Sequence, residues 1–261
     1  MNIDRPGYKF ASVVFVNSAL WTYRMDQVSP GSKIIYDVPS RLAEKLINGS
    51  VDAALIPVAD LFANPSLKMI GNIGLSSNGD VTSVLLKCNR PLQDIRNVML
   101  DKSSHTSNRL VEILLKRHFH VDVKMGVSEG VAQPDAEVVI GDRALLSEPA
   151  PFGDYDLAGE WKAMTGLPFV FAVWAARKEC QNAEAMTQVL EASLDRGLLS
   201  VAEVSQKEAQ KIGMPLEQCR DYIENVISYK LGRKELKSMR LFKEMIDDKP
   251  KTKEPQAKLI N

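Results

Sequence analysis

The chain has 261 residues, 45% of them hydrophobic and 25% charged, with 33 basic and 33 acidic side chains. This is the make-up of a globular protein with room for one large domain or two lobes, and the zero net charge leaves no field to draw nucleic acid or anionic lipid. No apolar run approaches the roughly 18 residues of a membrane span. The start, MNIDRPGYKFASVVFV, lacks a basic leader, an apolar core and a small-residue cleavage site, so no membrane partner and a cytoplasmic location are expected.

Phe10 to Val16 (FASVVFV) is β-branched and apolar and predicts the first buried strand. It ends at Asn17-Ser18, where polar side chains past a central strand either make a turn or meet a ligand. Lys33 to Tyr36 predicts a second strand. Ser40 is then the expected N-cap of a helix carrying Leu42, Leu46 and Ile47, stopped by Asn48-Gly49. Val51 to Ile56 predicts the next strand, which Pro57 breaks before a short helix, Val58 to Phe62. Three β–α units in the first 65 residues argue for a largely parallel sheet covered by helices.

Lys68 to Leu75 predicts a further strand, followed by the polar turn Ser76-Ser77-Asn78-Gly79-Asp80. Val81 to Lys87 is extended by composition. Ser83, a lone hydroxyl inside that apolar run, either satisfies a backbone group or serves a site. From Asn89-Arg90-Pro91 the β–α pattern restarts. Strand 98–100 leads into Asp101-Lys-Ser-Ser-His-Thr-Ser107, with four hydroxyls in five positions, and then into a helix over 107–118. A strand, a hydroxyl-rich turn and a helix start present N–H groups and Ser/Thr oxygens together, which suits a carboxylate or phosphate; alternatively Ser103, Ser104 or Thr106 caps the helix and does no more.

Strands over 120–124 and 137–140 are expected next, with Asp142 as N-cap of a short helix. Residues 149–166 hold few apolar runs, and Tyr155, Leu157 and Trp161 read there as packing anchors. A long strand spans 167–175. Four helices follow. Asn182 caps the first, which ends at Gly197, and a Ser200/Glu203 capping box opens the second. Leu216 to Ile227 marks the third, ended at Gly232, and Leu236 to Met245 the fourth. The tail 247–261 has no period and is expected to be disordered. Cys88, Cys180 and Cys219 are odd in number and unpaired in spacing, which predicts reduced core thiols. His105, His118 and His120 form no metal-ligand pattern, so no metal is expected. By type His105 suits acid or base work, or it is a surface residue in a turn.

Two β–α blocks separated by Val81–Lys87, with a long strand returning at 169–175, suggest a chain that crosses over and comes back. The expectation is an α/β protein of two lobes around a central cleft, joined by two crossover strands: residues 1–84 with 175–246 form one lobe and 85–174 the other.

Seven segments in register carry a family resemblance: FVNSALW, VPSRLAEKLINGSVDAALIPVADL, SSNGDVTSVLL, LDKSSHTSNRLVEILL, VVIGDRALL, YDLAGEWKAMTGLPFVFAVWAAR and YKLGRKELKSMRLF. The chain resembles the chorismate dehydratases of the futalosine route to menaquinone, over nearly its whole length. The resemblance implies a type II periplasmic-binding-protein fold used as an enzyme without metal or organic cofactor. Its small-molecule substrate would be the dicarboxylate chorismate, which loses water to give 3-[(1-carboxyvinyl)oxy]benzoate. The related 1,4-dihydroxy-6-naphthoate synthase of the same route is the nearest alternative, and a non-catalytic small-carboxylate binder the next. By the resemblance, Asn17 and Ser83 stand closest to the reacting edge, with Asn17 orienting the leaving C4 hydroxyl and Ser83 bonding a carboxylate. The helix starts at Ser40 and at Ser103, Ser104, Thr106 and Ser107 would hold the carboxylates without a basic cluster. Ser18, Ser77 and Asp142 complete the expected binding set, Asp142 shaping the cleft.

Overall fold

Short β-branched runs bounded by Gly, Pro and Asn become strands, and the 3.6-period segments between them become helices. The computed structural model describes residues 7–126 and 134–248. The chain first lays down β1 (Lys9–Ser12), β2 (Lys33–Tyr36), β3 (Ala53–Pro57) and β4 (Leu67–Ser77). It then makes β5 (Val84–Cys88), β6 (Asn97–Met99), β7 (Lys124–Gly126), β8 (Ala136–Ile140) and β9 (Asp154–Asp156). Finally it returns with β10 (Phe169–Arg177) and β11 (Ser228–Lys230).

Two mixed sheets result. One has the order β11-β4-β10-β3-β1-β2 and the other β7-β6-β8-β5-β9. In the first, β1 runs parallel to β2 and β3 while β10 lies antiparallel between β3 and β4. In the second, β6 runs parallel to β7 and β8 while β5 is antiparallel to β8 and β9. The chain therefore passes between the sheets twice, after β4 and after β9. Val84 already pairs in the second sheet, and β10 pairs along the first from Phe169 onward, so residues 169–174 run with the first sheet.

The core is aromatic around both halves of β10. Trp174 on β10 meets Phe10 at 6.0 Å and Trp21 at 5.9 Å, both edge-on. Trp161 packs edge-on against Phe169 and Phe242, at 5.4 and 5.8 Å between centroids, and its indole N–H donates to Ser238. Such pairs contribute about 0.5–1.5 kcal/mol beyond their area.

Several elements differ from the expectation. β1 stops at Ser12 and does not run to Val16, because the Ser18 hydroxyl donates to the carbonyls of Val13 (2.7 Å) and Phe15 (3.1 Å) and folds the chain into a 3-10 turn, Val16–Ser18. The run 81–87 is not extended throughout. Val81 and Thr82 both aim their N–H groups at Asp156 Oδ2 (2.8 and 2.6 Å), and Thr82 takes a positive φ of 60°. The same Asp156 caps a helix, Leu157–Thr165, in the segment that holds few apolar runs. Ser200 alone separates helices Ala183–Leu199 and Val201–Ile212, and no capping box forms, because Glu203 pairs with Arg24 at 3.0 Å. The third helix is α only over Leu216–Asp221. It widens into a π-helical turn, Tyr222–Val226, closed by Ile227 N–H to Tyr222 C=O at 3.1 Å, and β11 replaces its expected last turns. The last helix runs Arg233–Asp247, so the expected tail lies outside the described residues from 249 onward. Among the described residues, no helix is long and apolar enough to cross a membrane.

Candidate functional site

A cleft opens between the two sheets. On one side lie Leu55 and Pro57 of β3, Leu75 of β4 and Phe171 of β10; on the other lie Val84 of β5 and Ile140 of β8. Helix starts border it at Pro39, at Pro57, at Ser104, Thr106 and Ser107, and at Gly141. At Gly141, φ is 64° and an added Cβ would stand 2.9 Å from the Phe15 ring, so only glycine lets the two walls approach this closely. No side chain with a formal charge, and no histidine, lines the cleft among the described residues.

The polar groups that line it, together with one buried tyrosine behind them, come in two sets. The first is a chain of three side chains from distant parts of the sequence. Tyr222, directly after helix Leu216–Asp221 and in its α register, is buried and lies 2.8 Å from Ser83 Oγ through its hydroxyl. Asn17, in the 3-10 turn after β1, donates from Nδ2 to the Tyr222 oxygen at 3.4 Å. Asn17 Oδ1 is enclosed and has no partner among the described residues. Burial pushes the Tyr222 phenol far above its ordinary pKa, so it stays a neutral hydroxyl.

The second set is the start of helix His105–Arg117. Ser104 is its N-cap, accepting from Ser107 N–H at 3.3 Å and bonding Ser107 Oγ at 2.7 Å. Thr106 Oγ1 accepts from Ala59 N–H at 3.0 Å, in the first turn of helix Val58–Ala63. A helix of this length leaves first-turn N–H groups and a positive dipole end at the cleft.

The structure thus gathers Asn17, Ser83, Ser104, Thr106 and Ser107 around one space. The other expected binding residues do not line it. Ser18 spends its hydroxyl on backbone carbonyls. Ser77 Oγ donates to Gly79 C=O at 2.8 Å. Ser103 turns its N–H and hydroxyl back to Asp101. Ser40 is not an N-cap: Pro39, whose fixed φ suits the first helical position, starts the helix, and the Ser40 N–H donates to Ser103 C=O at 3.0 Å. Asp142 is not an N-cap either. Gly141 holds that position, and Asp142 Oδ1 accepts from Val16 N–H at 3.1 Å, with burial raising its carboxyl above the usual range.

His105 also lies off the cleft. Its Nδ1 is 2.6 Å from Asp60 Oδ1, and burial raises the Asp60 carboxyl. Among the described residues, no group of three or more His, Cys, Asp or Glu side chains is placed to hold a metal ion. The residue missed from the sequence is Tyr222. It sits among Cys219, Ile223 and Val226 on what reads as an ordinary apolar face, and the one signal was a hydroxyl at a buried helical position.

The sequence profile of a family described as menaquinone biosynthesis matches residues 8–248. The chain is 32% identical to a chorismate dehydratase of Thermus thermophilus over 205 residues, which is 70% of this chain and 76% of that protein. It is 28% identical to a chorismate dehydratase of Campylobacter jejuni over 209 residues, 78% of this chain and 79% of that one. Among solved structures it is similar to the alkanesulfonate-binding protein SsuA of Xanthomonas axonopodis pv. citri bound to MOPS. There the TM-score is 0.65 at 16% identity, covering 93% of this chain and 94% of that one. The aliphatic sulphonate-binding protein SsuA of Escherichia coli gives a TM-score of 0.63 at 13% identity, covering 94% and 86%. At such identities the likeness concerns the fold, which is of the periplasmic-binding-protein type.

Proposed function

The chain belongs to the menaquinone biosynthesis family, and from that premise we propose that it is a chorismate dehydratase, a lyase that removes water from chorismate to give 3-[(1-carboxyvinyl)oxy]benzoate. The observation that carries this reading is the cleft lined by hydroxyls, an amide, a helix start and apolar walls, without a charged side chain among the described residues. A dianion that is about to become aromatic needs fixed dipoles and a dry pocket more than it needs counter-ions.

The reaction breaks the C3–H and C4–O bonds of the ring and releases water. The C3 proton is vinylogous to the ring carboxylate, so charge develops there as it leaves. The start of helix His105–Arg117, with Ser104, Thr106 and Ser107, supplies N–H groups and hydroxyls for a carboxylate without changing its protonation. Ser83 donates to a carboxylate oxygen, and Asn17 Oδ1 accepts from the C4 hydroxyl and orients it. Aromatisation drives the elimination, so the protein's work is to hold the eliminating conformation and exclude solvent.

On this reading the two sheets with their helices are two lobes that close on the substrate, the expected boundaries at 84 and 174 shifting so that Val84 belongs to the second and residues 169–174 to the first. Ser40, Ser103 and Asp142 serve that closure. The bonds from Ser40 N–H to Ser103 C=O, from Ala59 N–H to Thr106 and from Val16 N–H to Asp142 tie segments of the two sheets together around the cleft. We place the enzyme in the cytoplasm, on the futalosine route. A side-by-side turnover assay with chorismate and with cyclised futalosine, without added metal or nucleotide, tests the assignment. Conversion of chorismate alone is the expected result. Conversion of cyclised futalosine alone would move the chain to the sister naphthoate synthase, and tight binding with chorismate recovered unchanged would make it a carboxylate binder.

A further inference from the structure

We propose that Tyr222 is a positioning residue that fixes the hydrogen-bond polarity of the cleft, leaving Ser83 as a donor and Asn17 Oδ1 as an acceptor toward the substrate. Proton counting fixes the direction of each bond. An amide NH2 only donates, so the Tyr222 oxygen accepts at its 3.4 Å contact with Asn17 Nδ2. A phenol has a single proton, which then goes to Ser83 Oγ at 2.8 Å. Ser83, having accepted it, keeps its own proton, and among the described residues no acceptor takes that proton; the open direction is the cleft it lines. With Nδ2 committed to the phenol, Asn17 Oδ1 is left enclosed and unpartnered. The relay runs one way: Asn17 to Tyr222 to Ser83 to substrate.

Tyr222 N–H bonds Gln218 C=O, so Tyr222 keeps the α-helical register of Cys219 and stands behind the cleft wall within reach of Ser83. The π-helical turn starts at Tyr222 and widens the coil beyond it, and Ile227, at its end, lines the cleft. Because burial keeps the phenol protonated, the polarity does not change across the working pH range. A donor beside an acceptor fits a ring that bears a hydroxyl next to a carboxylate-bearing substituent. It fits the aromatic product less well, since that product has lost the hydroxyl.

The kinetic part of the inference rests on the chorismate reading; the polarity itself does not. In Tyr222→Phe the ring stays and the relay is cut. The expected result is a kcat lower by at least about tenfold, with KM for chorismate within about threefold and an unchanged melting profile, as for an interaction realised in the transition state. The double variant Tyr222→Phe/Ser83→Ala should be no more than about twofold slower than Ser83→Ala alone, since Tyr222 acts through Ser83. A kcat within about twofold of the parent, or losses that multiply in the double variant, would overturn the inference. A second arm needs neither turnover nor a Tyr222 variant. In protein with isotope-labelled tyrosine, the enclosed Tyr222 hydroxyl proton should give an exchange-protected NMR resonance that shifts in Ser83→Ala. A resonance indifferent to Ser83, or one that instead follows Asn17→Ala, means the phenol donates to Asn17 and the polarity is reversed. If the parent leaves chorismate untouched, the proposed function fails and this spectrum still decides the relay.

Discussion

Ser18 and Ser83 are both sealed from solvent, each 2% exposed, and both border apolar stretches, yet their hydroxyls are used in opposite ways. Ser18 gives its proton to carbonyls three and five residues away and thereby bends the chain out of β1. Ser83 receives a proton from a tyrosine 139 residues away and faces the cleft with its own still to give. A buried hydroxyl satisfied by its own backbone shapes the chain. One held by a distant side chain, with a donor left over, marks a site.

The comparison is tested most severely on the Ser83 side. Asn17→Ala and Ser83→Ala should each lower turnover of chorismate by at least about tenfold, or about 1.4 kcal/mol in the barrier, while the melting temperature barely moves. Steady-state kinetics beside calorimetry reads both. Full activity in both variants would remove them from the site.

Asp135 is the carboxylate counterpart of Ser18, a buried acceptor with structural partners. It accepts from Arg96 N–H (2.8 Å), Asn97 N–H (3.2 Å) and Asn97 Nδ2 (2.8 Å), and pairs with Arg90 at 2.8 Å. Those bonds, the Arg96 amide foremost, hold its carboxyl below the usual range. A lowered folded-state pKa gives stability that is present above the unfolded value of about 3.9 and lost as pH falls through the folded one. Asp135→Asn should therefore cost about 2 kcal/mol near neutrality. The deficit should shrink below pH about 4, and kcat should hold. Denaturant melts at pH 7 and pH 3 read the difference.

Ser18→Ala should cost about 1 kcal/mol of stability. Turnover should stay near that of the parent, which is the mirror image of Ser83→Ala. Ser104 stands between the two cases, since it caps its own helix and also lines the cleft. Ser104→Ala should lower stability by about 0.5–1 kcal/mol through the lost cap and also raise KM for chorismate. If only one of the two readouts moved, the helix start would be either a cap or a binding surface, but not both.

Much of this organisation was legible in the residues. The β–α alternation, the crossing after residue 80 and the hydroxyl-rich turn at 103–107 all follow from period and turn chemistry, because each signal is local. What escaped depends on partners far away in the chain. Asp156 kinks residues 81–82 from 74 residues away, and nothing in VTSVLLK announces it. Pro39 displaces Ser40 from the cap because proline at the first helical position outweighs a cap one step later. Tyr222 reads as packing because it keeps the helical period of Cys219 and Ile223, while its partners Asn17 and Ser83 lie 205 and 139 residues away.

The most direct measurement is a ¹H NMR time course of chorismate with the purified protein. The account expects the ring protons to convert into those of a 3-substituted benzoate, one for each chorismate consumed, with the enolpyruvyl group intact. Chorismate left unchanged, or pyruvate released in place of water, would contradict it.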